Sequence, residues 1–170
     1  NIQSRRITIA SAGRIDSLDP ARANTLKALQ IISALGDTLY ELNNEGKLIP
    51  NLASKMPIVS DDKLKISIRL KENIFFHDGT PFDSNAMKFT IERFQRIGTN
   101  NYILDKKIKS ITTPDKNTLI IYLNKPTSSI EGLLTSINLT AISPIFYKNY
   151  TDKFLNDNFV GTGEYVLKSF

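Results

Sequence analysis

The single histidine of this chain, His77, is followed by an aspartate in the stretch FFHDGTPFDSNAMKFTIERF, residues 75–94. An imidazole beside a carboxylate is a pairing used both by general-base catalysis and by metal sites. Catalysis would also need a group to orient the imidazole and a nucleophile for it to activate. A metal site would need two or three further ligands, and the chain has no second histidine and no cysteine. Without cysteine there is no thiolate nucleophile, no thiolate metal site and no disulfide. The run DGTPFDSN lacks the acids at alternate positions that a calcium loop requires. Neighbours on an extended chain point to opposite sides, so His77 and Asp78 are not expected to meet. No catalytic residue, metal site or cofactor is expected.

A structural reading accounts for more of the same stretch. Asp78-Gly79 marks a tight turn, with glycine free to take a positive φ. Thr80-Pro81 keeps the next residues extended. Asp83 then stands where it can cap a helix, and Met87, Ile91 and Phe94 form an apolar stripe along that helix.

The surrounding elements follow from the same kind of reading. RRITIA (5–10) alternates as a short strand, and SAGRIDSLDPARAN reads as a loop. TLKALQIISALGDTLY has apolar residues around most of a helix, which predicts burial on most sides. Asn43, Asn44 and Gly46 mark a turn between two short extended pieces. LKISIRL (64–70) alternates cleanly, with Leu64, Ile66, Ile68 and Leu70 on one face, and predicts a sheet with one dry side. KIKSITTPDKNTLIIYL predicts a hairpin that turns at TPDKN, with Pro114 presetting the backbone. SSIEGLLTSI (128–137) is expected to be a short helix weakened by Gly132, SPIFYKNYTDKFLNDN to be helical in part, and GEYVLKSF (163–170) to be a strand. Strands and helices mix without regular alternation, so the fold class is α+β. A strand at each end, neither with a successor, suggests a sheet that is not closed.

The chain has 170 residues, enough for one domain or one and part of another, with 41% hydrophobic and 23% charged residues, as in ordinary globular proteins. The net charge of +5 is scattered, with adjacent basic pairs only at Arg5-Arg6 and Lys106-Lys107, so nucleic-acid binding is not expected. No apolar run approaches the roughly 20 residues of a membrane span. The first residue is Asn1, and processing upstream of it is expected.

FxDGTPF followed by a helix carrying Ala86, Phe89 and Arg93 resembles the hallmark of the extracytoplasmic solute-binding proteins of the oligopeptide, dipeptide and nickel ABC-transporter class. Four further segments resemble that family in the same order: SLDPARA (17–23), LYELNNEGKLIPNLASK, LKISIRLKENIFFHDG and VGTGEYVLKSF. Departures are Phe76 near a position where tryptophan is frequent, Ser84-Asn85-Ala86 where an acid is frequent, and Glu164 where proline is common.

The resemblance implies part of lobe I plus the extra subdomain of a two-lobed periplasmic-binding-protein-like fold, a mixed sheet with flanking helices. Residues 1–38 would begin lobe I, 39–150 would form the inserted α+β subdomain, and 151–170 would return to lobe I, with the second lobe absent. It implies capture of an oligopeptide, dipeptide or similar small solute and its delivery to an ABC-transporter permease. It also implies a monomer in the periplasm or cell envelope, with room for a lipid anchor before residue 1. Asn24, Thr25 and Leu26 map to a segment that approaches the ligand, where the start of a helix could favour a carboxylate; Asn24 or Thr25 capping the helix is the alternative. Gly161, Thr162 and Gly163 are a second candidate segment, with turn geometry as the alternative. Two other functions stand beside capture: a standalone α+β interaction module, and a hydrolase with His77 as base.

Overall fold

The computed structural model describes residues 6–10, 12–104, 106–127 and 130–170. In chain order these form helix α1 (Leu26–Leu35), strands β1 (Tyr40–Leu42), β2 (Leu48–Pro50), β3 (Ile58–Val59) and β4 (Lys65–Arg69), then helix α2 (Ser84–Ile97). Strands β5 (Ile108–Asp115) and β6 (Thr118–Leu123) follow, then the short helices α3 (Ile130–Leu133), α4 (Pro144–Asn149) and α5 (Asp152–Leu155). Single 3-10 turns lie at Asn101–Ile103 and Ile137–Leu139.

Strands β3-β4-β6-β5 make a four-stranded sheet in that order, and β1-β2 make a separate hairpin; every pairing is antiparallel. The alternation in LKISIRL sets the register. Ile66 and Ile111 both stand opposite Ile121, Ile68 stands opposite Leu119, and all five are buried. Helix α2 covers this dry face with Met87, Ile91 and Phe94, each fully buried. Its start is as expected: the Ala86 N–H donates to the Asp83 carboxylate at 2.9 Å, and Gly79 takes φ +82° in the turn before it.

A second core gathers Ala23, Ala28, Ile32 and Leu35 of α1 and its approach with Ile142, Tyr147, Leu155 and Phe159. The two cores are joined by a buried ion pair. Arg93 of α2 donates to both carboxylate oxygens of Asp19, at 2.7 and 2.5 Å. The guanidinium lies 5.0 Å from the centre of the Tyr147 ring.

Four expectations change. Residues 6–10 and 163–170 form no strand, and Ile7 and Ile9 are exposed. Alternation supplies a strand with two faces but not the partner whose backbone must bond it, and no strand of the described residues lies beside either end. Residue 5, also part of the first of these segments, lies outside the described residues. Helix α1 stops at Leu35, because Gly36 turns extended at φ −150° and the chain runs on into β1. It is buried along Ala28, Ile32 and Leu35 only, with Leu26 70% exposed. The β5-β6 turn is Lys116-Asn117, not the whole of TPDKN. Pro114 sits inside β5, where the register shifts between Thr112 and Asp115, a bulge that tolerates a residue with no N–H to donate. The helix expected over 128–137 is reduced to α3; residues 128 and 129 lie outside the described residues.

Candidate functional site

The sequence SLDPARA folds as a buried loop because polar groups along it find partners; Arg22 Nε, buried without a hydrogen bond, lies 3.7 Å from Asp19 Oδ2. Leu18 and Asp19 are fully buried. The Leu18 N–H donates to Asn156 O at 2.7 Å and the Ser17 hydroxyl to Asn156 Oδ1 at 2.7 Å. Asn138 Nδ2 donates to Pro20 O at 2.7 Å and Ala23 O at 2.8 Å. The Thr99 N–H donates to Ala21 O at 2.9 Å and its hydroxyl to Arg22 O at 2.9 Å. With the Asp19–Arg93 pair, these bonds hold the loop from α2, from the segment before α4 and from the end of α5. Residues at its exit are therefore presented on a rigid base.

That exit is Asn24-Thr25-Leu26. Thr25 is the N-cap of α1; its hydroxyl accepts the Ala28 N–H at 3.4 Å and donates to Asp16 Oδ1 at 2.8 Å. The Asn24 N–H donates to Asp16 Oδ2 at 2.8 Å. Burial raises the affinity of the Asp16 carboxyl for its proton. The bonds from the Thr25 side chain and the Asn24 and Thr25 amides outweigh this and hold its pKa below the usual carboxylate value. Leu26 projects outward. Sequence reasoning missed what stands next to it. Asn100 Nδ2 donates to Asn24 Oδ1 at 3.0 Å, and two residues further on Tyr102 is 70% exposed. An exposed tyrosine after the end of α2 was the only available signal. The corner thus offers a bonded amide pair with Leu26 exposed beside it, and Tyr102, two residues beyond Asn100 in the chain, is exposed as well.

Gly161-Thr162-Gly163 lies elsewhere, at the opposite end of α1. The Gly163 N–H donates to Leu35 O at 3.1 Å and the Thr162 hydroxyl to Asp37 Oδ2 at 2.7 Å. On its other side stands the turn at 76–80. The His77 N–H donates to Gly161 O at 2.9 Å, its Nε2 bonds Gly163 O at 2.8 Å, and the Gly161 N–H approaches its Nδ1 at 3.4 Å. This pattern places the imidazole proton on Nε2. A Cβ at Gly163 would stand 2.6 Å from the Leu35 carbonyl, which is why glycine is required there. The backbone groups of Gly161 and Gly163 are thus engaged within the protein, and the structure does not bring this segment to the Asn24–Leu26 corner.

His77 and Asp78 diverge, as their adjacency implies. Asp78 accepts from the Thr80 N–H at 3.0 Å, from the Thr80 hydroxyl at 2.6 Å, and from the Ser143 hydroxyl. Partial burial pushes the Asp78 carboxyl up; the Ser143 and Thr80 bonds outweigh it and leave its pKa below the usual value. Ser143 is in turn the N-cap of α4. The hydroxyl therefore faces the carboxylate, and the imidazole faces a backbone segment. Among the described residues no group of three or more acidic or histidine side chains could hold a metal ion. Among the described residues, one open groove of about 610 Å³ runs along Ser54, Lys55 and Arg69–Glu72. Another, of about 350 Å³, lies beside Ser33, Gly36 and Glu41. Neither reaches the Asn24–Leu26 corner.

The fold matches solved structures of bacterial solute-binding proteins. It superposes on Listeria monocytogenes OppA bound to peptide with a TM-score of 0.85, at 23% identity, over 94% of this chain and 35% of that one. It also superposes on NikZ from Campylobacter jejuni in complex with Ni(L-His), with a TM-score of 0.80, at 25% identity, over 93% of this chain and 32% of the other. The sequence profile of the bacterial extracellular solute-binding proteins, family 5, middle part, matches residues 47–170. The glutathione-binding protein GsiB of Escherichia coli K12 is 30% identical over 166 residues, which is 96% of this chain and 32% of that protein. The chain belongs to family 5 of the bacterial extracellular solute-binding proteins. It spans about a third of the length of the curated relatives it matches.

Proposed function

We propose that these 170 residues form one wall of a two-lobed clamp that captures a peptide-like solute outside the cytoplasm and hands it to an ABC-importer permease. In this reading residues 1–38 and 151–170 belong to the first lobe, and residues 39–150 are an inserted subdomain braced against it. The observation that carries the reading is the corner at Asn24, Thr25 and Leu26. It is held from three sides by buried bonds, yet it leaves Leu26 and Tyr102 exposed. Binding proteins need such a pre-organised wall, because ordering a loop on binding costs affinity. Names of relatives support a small peptide-like or chelate-like solute: glutathione for GsiB, a peptide for OppA and nickel-histidine for NikZ. The role is capture and not catalysis, since the sole imidazole is engaged with the Gly161–Gly163 backbone. A pocket of this kind buries about 70–90% of its ligand, which needs both walls. The 170 residues alone are therefore expected to bind such solutes weakly.

The test is calorimetric titration of the whole protein with glutathione and with trialanine. Saturable binding that falls at least about tenfold in a Leu26→Ala/Tyr102→Ala variant supports the wall, by the loss of two anchoring side chains. Binding that the double substitution leaves unchanged overturns it, as does tight binding of either peptide to the 170 residues alone.

A further inference from the structure

The end of α1 that would attract a solute carboxylate already holds one from the protein itself. Asp16 Oδ2 accepts the Asn24 N–H at 2.8 Å; Asp16 Oδ1 accepts the Thr25 hydroxyl at 2.8 Å and the Thr25 N–H at 3.3 Å. These donors lead into the positive end of a ten-residue helix, the place where an anion is best held. The carboxylate is not a loose surface acid. The next residue, Ser17, is bonded to Asn156, and Leu18 beyond it is fully buried and bonded to the same residue. The backbone that carries Asp16 is therefore fixed. A second carboxylate arriving at Asn24 and Thr25 would find these donors occupied and a like charge a few ångströms away.

We propose that Asp16 is a specificity-determining residue. It acts as a built-in carboxylate that turns anionic groups of a solute away from the Asn24–Leu26 wall and leaves that wall to neutral or cationic parts of the solute. The specificity role rests on the reading of this corner as a ligand wall; the occupancy of the helix end does not. A device of this kind selects by repulsion, which separates solutes that differ in one charge more sharply than added attraction does.

The experiment is an amide-resolved NMR titration of the 170-residue chain with N-acetylglycinate, which carries a carboxylate and no amine. In the native chain the Asn24, Thr25 and Leu26 amides stay unmoved. In Asp16→Asn they shift saturably, with an apparent affinity about tenfold or more above the native chain, from the freed helix end and the lost repulsion together. Asp16→Ala, which has no side-chain acceptor to refill the position, behaves the same way. Saturable shifts in the native chain overturn the proposal. So does a variant that keeps a dispersed spectrum and gains nothing. If neither variant folds, the native titration decides by itself: unmoved amides support the proposal and saturable shifts overturn it. In the whole protein, Asp16→Asn shifts preference from trialanine amide toward trialanine. No change of preference there, with the amide titration as expected, overturns the specificity role and points to failure of the wall reading, not of the helix-end occupancy.

Discussion

Replacing Arg93 by methionine tests whether the Asp19–Arg93 pair holds the two cores together. Both oxygens of Asp19 are engaged by the guanidinium, at 2.7 and 2.5 Å, and the two side chains are 0% and 4% exposed. Methionine fills most of the volume but leaves the carboxylate with the Ala21 N–H at 3.1 Å and Arg22 Nε at 3.7 Å. Breaking a buried pair in this way costs about 3–5 kcal/mol. The cation–π contact with Tyr147 disappears as well, which favours the upper part of that range. For a chain of this size, a shift of about 2–4 °C in Tm accompanies each kcal/mol, so Tm falls by roughly 6–20 °C. The chain has no tryptophan, so urea unfolding is best followed by far-UV circular dichroism. Asp19→Leu/Arg93→Met removes both charges and is expected to recover most of the loss, because no uncompensated charge is left. A loss below about 1 kcal/mol for Arg93→Met, the range of an exposed pair, would refute the reasoning.

Three further outcomes follow from the same geometry. Gly163→Ala places a Cβ 2.6 Å from the Leu35 carbonyl and is expected to cost about 1–3 kcal/mol in urea unfolding. Gly132→Ala, which meets nothing within 4 Å in α3, is expected to gain about 0.5–1 kcal/mol; equal effects at the two sites would contradict the packing. His77→Ala removes the bond to Gly163 O and the weaker contact from the Gly161 N–H, for a loss of about 1–2 kcal/mol by thermal unfolding. No measurable loss would mean that the turn does not hold the segment. Burial pushes the Tyr147 phenol well above its ordinary pKa of 10.0; the Asp19 carboxylate adds to this and Arg93 opposes it. With the folded value above the unfolded one, this contribution is complete below about pH 10 and is lost as pH rises through the folded value. Native protein and Tyr147→Phe should therefore lose stability at different rates only above about pH 10, and parallel loss at alkaline pH would count against it.

Much of the fold was legible because its instructions are local. The turn at Asp78-Gly79, the Asp83 cap and the Met87, Ile91, Phe94 stripe are written within twenty consecutive residues, and each acts on neighbours a few positions away. The dry face of LKISIRL was legible for the same reason; the cap of α1 was legible only as Asn24 or Thr25, and the structure gives it to Thr25. The turn in TPDKN was placed too broadly, because both Pro114 and Lys116-Asn117 suit a bend and only the register with β6 chooses between them. The candidate site was half legible. Asn24, Thr25 and Leu26 could be named from the loop before a helix, but Asn100 joins them across 76 residues of chain.

The residues by themselves determined the turns, caps and apolar faces, since these depend on side chains and backbone angles that sit side by side. Only the tertiary structure decided that Arg93 finds Asp19, that His77 grips Gly161 and Gly163, and that residues 6–10 and 163–170 remain outside any strand. A buried charge is tolerable only where a distant partner arrives with the right geometry, and a strand exists only where another backbone lies alongside to bond it.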